Sequence, residues 1–167
     1  MFQFIHRIKF LCTATNQYGI HSPFVYQYLI NCLYKRSSGN RSKALNVLIK
    51  SLDYFEAESI WLASDQEQLR QLLIKRAPQL TFDKVPYDII YLSCDQSSLL
   101  KDPHFICKNS HSNTLVVLEG IYKNKEVHAQ WQKLILLEDF HVSIDFFYCG
   151  ALFFRNEQEK QHFKIRI

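Results

Sequence analysis

Ile89-Ile90-Tyr91-Leu92 is an unbroken apolar run between Asp88 and Ser93. A strand with one wet face alternates apolar and polar residues. A run without alternation suits a parallel strand buried on both faces, and it obliges helices to lie on either side. Thr114–Leu118 repeats the pattern, and Ser59–Ala63 reads as a third buried strand. Helical spacing fills the intervals between them. This alternation, closed by a hairpin, predicts an α/β fold with a mostly parallel sheet, helices on both faces and a C-terminal antiparallel hairpin.

The helices are marked by local signals. Residues 2–12 place Phe4, Ile5, Ile8, Leu11 and Cys12 on one face, opposite Gln3 and Arg7. That face is expected to pack on its own domain or on a partner subunit rather than on a membrane surface. Ser22 and Pro23 are a natural N-cap and first helical residue for a helix reaching about Tyr34. Ala44, Leu45, Leu48, Ile49, Leu52 and Phe55 recur at helical spacing, and Glu56-Ala57-Glu58 closes that helix. Ser64-x-x-Glu67 has the form of a capping box, so a helix carrying Leu69, Leu72 and Leu73 inward is expected to start there and stop before Pro78. Leu80–Phe82 is a candidate short strand, and a helical stretch spans Ser97–Lys108 around Pro103. Asn124 caps a helix with Val127, Trp131, Leu134 and Ile135 on its buried side. His141–Phe147 and Ala151–Arg155 make the hairpin, with Tyr148-Cys149-Gly150 as its turn, and Phe163–Ile167 adds an extended piece. Ser37–Asn40 is the only linker-like stretch. It separates an N-terminal helical extension, residues 1–36, from one compact α/β unit, residues 41–167.

Composition excludes several classes. The 47% apolar and 14% aromatic content of the 167 residues rules out disorder. Five cysteines, odd in number and without a CxxC pair, suit reduced thiols in a cytoplasmic protein better than a disulfide frame or zinc site. The N-terminus meets charge too early for a signal-peptide core, and Phe146–Phe154 is too short to cross a bilayer. The net charge of +4 is spread over small clusters at Lys35-Arg36, Arg41-Lys43 and Lys123-Lys125. These fit solvated helix ends, so nucleic acid is not an expected partner.

Three stretches together resemble class I S-adenosylmethionine-dependent methyltransferases, specifically a bacterial subgroup similar to small-molecule O-methyltransferases. Gly19-Ile20-His21-Ser22-Pro23-Phe24-Val25-Tyr26 resembles the subgroup's N-terminal signature. Ile121–Glu126 with Trp131 resembles the segment after its fifth strand. Ser143-Ile144-Asp145-Phe146-Phe147 through Gly150, Phe153-Phe154-Arg155 and Gln158–Arg166 resemble its closing hairpin and tail. The resemblance covers about half the chain, at both ends. It implies a reduced Rossmann-like methyltransferase fold preceded by two N-terminal helices.

The departures fall where the family holds its cofactor. After the first strand the family carries an acid and spaced glycines; here stand Leu62-Ala63-Ser64-Asp65-Gln66. After the fourth strand it carries Asp-Gly, where this chain has Ser93-Cys94. After the fifth it carries paired aspartates, where this chain has Glu119-Gly120. The chain is also shorter than the family's usual members, around the first three strands. Side chains in place of glycine take up ligand volume. A missing carboxylate forfeits hydrogen bonds to the ribose of roughly 1.5–3 kcal/mol each.

By this resemblance Ala63, Ser64, Asp65, Ser93 and Glu119 are the positions that would face the cofactor, and Glu119, Asp95 and His21 are the candidates for catalysis. Asp95 and Glu119 follow predicted parallel strands, the edge where such sheets bind ligands, yet two acids without a third ligand do not make a metal site. His21 more simply positions the turn before Ser22. Cys94 lacks an evident basic neighbour, and His104, His111 and His128 lack metal-binding spacing. The expectation is a non-catalytic methyltransferase-like protein with no cofactor. It would work as a binding or assembly module that self-associates through its N-terminal helices or its hairpin. The alternative is a methyltransferase that uses S-adenosylmethionine in an atypical pocket to methylate a small hydroxyl or amine.

Overall fold

A computed structural model describes residues 1–36, 41–63, 65–93 and 103–167. Among these, six helices accompany a six-stranded sheet: α1 (Phe2–Thr13), α2 (Pro23–Tyr28, continued by a wider π-type turn over Leu29–Leu33), α3 (Lys43–Tyr54), α4 (Glu67–Arg76), α5 (His104–Lys108) and α6 (Lys125–Leu134). The strands are β1 (Ile60–Trp61), β2 (Tyr87–Leu92), β3 (Ser110–Glu119), β4 (Val142–Asp145), β5 (Cys149–Phe153) and β6 (Gln161–Lys164). Their order in the sheet is β1-β2-β3-β5-β4-β6. Only the two pairings made by β5 are antiparallel, so the sheet is mostly parallel.

The apolar runs dictate the layering. Ile89 and Tyr91 face one buried cluster with α2 and α3, while Ile90 and Leu92 face another with α5 and α6. Both faces of β2 and β3 are therefore dry, as their lack of alternation requires. Tyr28 of α2 lies fully buried, its hydroxyl 2.6 Å from Ser51 of α3. The helix starts follow their caps: Ser22, Ser42 and Asn124 accept from the backbone N–H groups of Val25, Leu45 and Val127.

Four expectations change. Glu67 is the first residue of α4, behind Gln66, which makes no side-chain cap bond, so it cannot be the third residue of a capping box; Ser64 lies outside the described residues. The backbone N–H of Gln66 bonds instead to the Ala63 carbonyl, just ahead of the helix. Leu80–Phe82 contributes a single parallel bridge, Ser59 to Thr81, rather than a strand. The hairpin turn is Phe146-Phe147-Tyr148, with Phe147 in the left-handed region at φ 69°, while Cys149 and Gly150 already belong to β5. That conformation costs a non-glycine residue about 1–2 kcal/mol. The Asp145 carboxylate, which accepts from the Phe147 N–H at 2.7 Å, helps to hold it.

The fourth is the apolar stripe of α1, whose spacing allows packing on its own domain or on a partner subunit, and of these the first is not seen. The helix docks through Phe10, Phe2 and His6, which sit against Phe147, His128 and Tyr122. Phe4, Ile5, Ile8 and Leu11 point the other way and stay 69%, 44%, 50% and 50% exposed, against 5% for Phe10. The stripe does not pack on its own domain.

Candidate functional site

The register of the three parallel strands decides which residues share an edge. Ile60 stands opposite Ile89, and Leu92 opposite Leu118. Extended by that register, Ser93 comes level with Glu119 and Ala63 falls one residue short of them, all just beyond or at their strands' C-terminal ends. This is the edge where open α/β sheets place ligands. Ala63 is half-buried, Ser93 is buried, and Asp65 is exposed in the turn before α4. His21 is exposed beside the buried cap Ser22. Ser64, Cys94 and Asp95 lie outside the described residues.

Glu119 is already engaged. The phenol of Tyr91, buried on the neighbouring strand, donates to Glu119 Oε2 at 2.7 Å. Gly120 follows at φ 69°, a left-handed turn that returns its N–H to the Tyr148 carbonyl at 2.8 Å. Glycine is the residue that adopts this without cost.

A second carboxylate at the same sheet edge was not singled out as a site candidate from the sequence. Asp145 ends β4, is fully buried, and accepts from the Tyr122 hydroxyl at 2.6 Å. Burial raises its pKa; the hydrogen bonds from Tyr122 and the Phe147 N–H oppose that without cancelling it. Burial, with Asp145 adding to it, likewise lifts the Tyr122 phenol well above its ordinary range. The available signal was an acid inside an otherwise apolar strand, just before a turn. Tyr122 in turn stacks on His128 and Phe147, and His6 of α1 lies 5.0 Å from His128 between ring centroids. Burial lowers the His128 pKa, favouring the neutral ring.

At this edge, then, two carboxylates are each held by a tyrosine of the same domain, and α1 lies across the loops that follow β3 and β4. A buried acid bonded to a phenol and a backbone N–H is a structural latch; as a general base it would need reach to a substrate. Among the described residues no group of three His, Cys, Asp or Glu side chains could hold a metal ion. Cavities formed by described residues include one of about 260 Å³ beside α3 and one of about 280 Å³ under α1. Neither is lined by Ala63, Asp65, Ser93 or Glu119. Cys12, Cys32, Cys107 and Cys149 are free thiols, and burial pushes Cys32 up to about 12, far from a nucleophilic thiolate. Among the described residues no helix is long and apolar enough to cross a membrane.

Compared with known proteins, the chain matches no family profile, no curated protein and no solved structure.

Proposed function

We propose that this chain is a non-catalytic, methyltransferase-like domain with a reduced Rossmann-like fold, and that it works as an assembly module by pairing with a second copy through α1. The observation that carries the reading is the outward stripe of Phe4, Ile5, Ile8 and Leu11 on a helix whose other face is docked. The stripe is uncharged along its length, with Arg7 and Lys9 at its two margins, so two copies can meet about a two-fold axis without opposing like charges at its centre. Four free thiols among the described residues favour a reducing, cytoplasmic setting.

The reduced cofactor half supports the first part. The segment matching the family's first strand pairs over two residues only, and the place of its second strand holds one bridge. Glu119, the acid that would meet the ligand, is bonded to Tyr91. The alternative, a methyltransferase using S-adenosylmethionine on a small hydroxyl or amine, draws on Ala63, Ser93 and Glu119 lying at one sheet edge.

Light scattering at micromolar concentration tests the assembly. The native chain is expected to run at twice its monomer mass, and Phe4→Glu with Ile8→Glu to run as a monomer with an unchanged melting temperature, since both side chains meet solvent in the single chain. A monomeric native protein refutes self-association. A native protein that pellets with anionic vesicles while staying monomeric assigns the stripe to a lipid surface instead.

A further inference from the structure

Three successive helices bring cations to one cleft. Lys35 and Arg36 follow the end of the α2 extension, Arg41 and Lys50 come from the entry and middle of α3, and Arg76 ends α4. The cleft holds about 260 Å³, and Asp53 is the only acid among the described residues that line it. Five cations against one carboxylate leave four net positive charges there, as many as the whole chain carries. The rest of the surface is therefore neutral on balance. Two of the three basic clusters seen along the sequence contribute to it, because folding brings Lys35-Arg36, Arg41 and Arg76 around one hollow; Lys123-Lys125 lies elsewhere, at the start of α6.

The cations have different tasks. Lys50 is spent on the fold, its ammonium donating to the Leu33 and Lys35 carbonyls at the end of the preceding helix. Arg76 gives one guanidinium nitrogen to Asp53 at 2.6 Å, and a guanidinium carries five donors in a planar fork. An adjoining hollow shares Arg41 and Arg76 and adds Lys75 with the amides of Gln68 and Gln71. Ile49 and Tyr54 supply an apolar wall. The Gln71 amide already donates to Glu67 Oε1 at 2.6 Å; arginine forks beside the Gln68 amide suit the paired oxygens of phosphoryl groups. Crowding like charges in this way costs stability in the free protein, and a multivalent anion offsets that cost.

We propose that this cleft binds a compact ligand with at least two phosphoryl groups, either inorganic pyrophosphate or the diphosphate of a nucleotide. A volume near the lower end of small-molecule sites, roughly 300 Å³, limits the ligand to that size. A hollow of this volume suits it better than a nucleic-acid backbone, which tracks an extended groove. The site lies on the outer flank of α3, away from the strand ends that carry Ala63, Ser93 and Glu119, so it stands or falls apart from the assembly reading.

Calorimetric titrations at low ionic strength with sodium pyrophosphate, ADP and a short single-stranded oligonucleotide test it. Pyrophosphate is expected to bind with micromolar affinity, weakened at least tenfold by Arg41→Gln with Arg76→Gln and also by Lys35→Gln with Arg36→Gln. The pair Lys125→Gln with Lys133→Gln removes the same charge from α6 and should leave binding unchanged. ADP binding more tightly than pyrophosphate identifies a nucleotide as the ligand, and equal affinities identify the phosphate groups alone. No heat from either anion, equal weakening by the α6 pair, or binding of the oligonucleotide alone overturns the proposal. Circular dichroism melts of each variant confirm that the fold persists.

Discussion

Gly150→Val is expected to destabilise the protein by at least about 3 kcal/mol, the upper end of the usual cost of overpacking a core. Gly150 is buried in β5, and a Cβ placed there would stand 2.5 Å from two ring atoms of Trp131. Trp131 is fully buried on α6, in the cluster with Val127, Leu134 and Phe140. Its ring cannot retreat without displacing that layer, so the strand or the helix must move. A loss of that size lowers the melting temperature of a chain this long by roughly 6–12 °C. Trp131→Leu in the same background should restore part of it, because the two sites share one contact and their effects do not add. A Gly150→Val melt within a degree of the native protein would show that α6 does not press on β5 as described.

Asp88→Ala should cost about 2 kcal/mol, most of it from donors left without a partner. Asp88 Oδ2 accepts from the backbone N–H groups of Glu58 and Ser59 and from Ser59 Oγ, each at 2.9 Å, while Oδ1 lies 3.0 Å from His111 Nε2. One carboxylate thus clamps the entry of β1 to β2, where β1 itself pairs over only two residues. The side chain is one-third exposed, so water replaces part of what is lost. Burial pushes the Asp88 pKa up, but the hydrogen bonds from Ser59, the Glu58 and Ser59 N–H groups and His111 outweigh it and hold it below the ordinary 3.8. A depressed carboxylate contributes stability that is present above 3.8 and is lost as pH falls through its lower native value. Urea unfolding across that acid window should show the native protein losing stability more steeply than Asp88→Asn. Parallel curves would remove Asp88 as the clamp.

What the sequence made legible was what neighbours in sequence determine. Ser22-Pro23 and Asn124 start their helices because a cap bonds within three residues of itself. Ile89–Leu92 and Thr114–Leu118 are strands with both faces covered because their composition leaves no wet face. The failures share a different cause. Gly150 looked like a turn residue, yet its small size serves Trp131, a contact between two elements that no local pattern encodes. Ser64 and Glu67 have the spacing of a capping box, but the helix begins only at Glu67 itself, behind Gln66. The stripe on α1 was visible from its spacing. Its direction was not, because Phe10 and His6 on the other face found Phe147, Tyr122 and His128 to pack against. Asp145 was passed over as a site residue for a similar reason: its partner Tyr122 lies 23 residues away. At the strand ends, the absence of glycine after β1 was plain, whereas the Tyr91–Glu119 bond needed two strands in register.

The most direct measurement is calorimetric titration of S-adenosylmethionine and S-adenosylhomocysteine into the purified chain. A carboxylate already bonded to Tyr91, beside a strand end without glycine, predicts no saturable heat from either ligand even at millimolar concentration. A micromolar dissociation constant for either one would contradict the account and favour the alternative proposal, an S-adenosylmethionine-dependent enzyme.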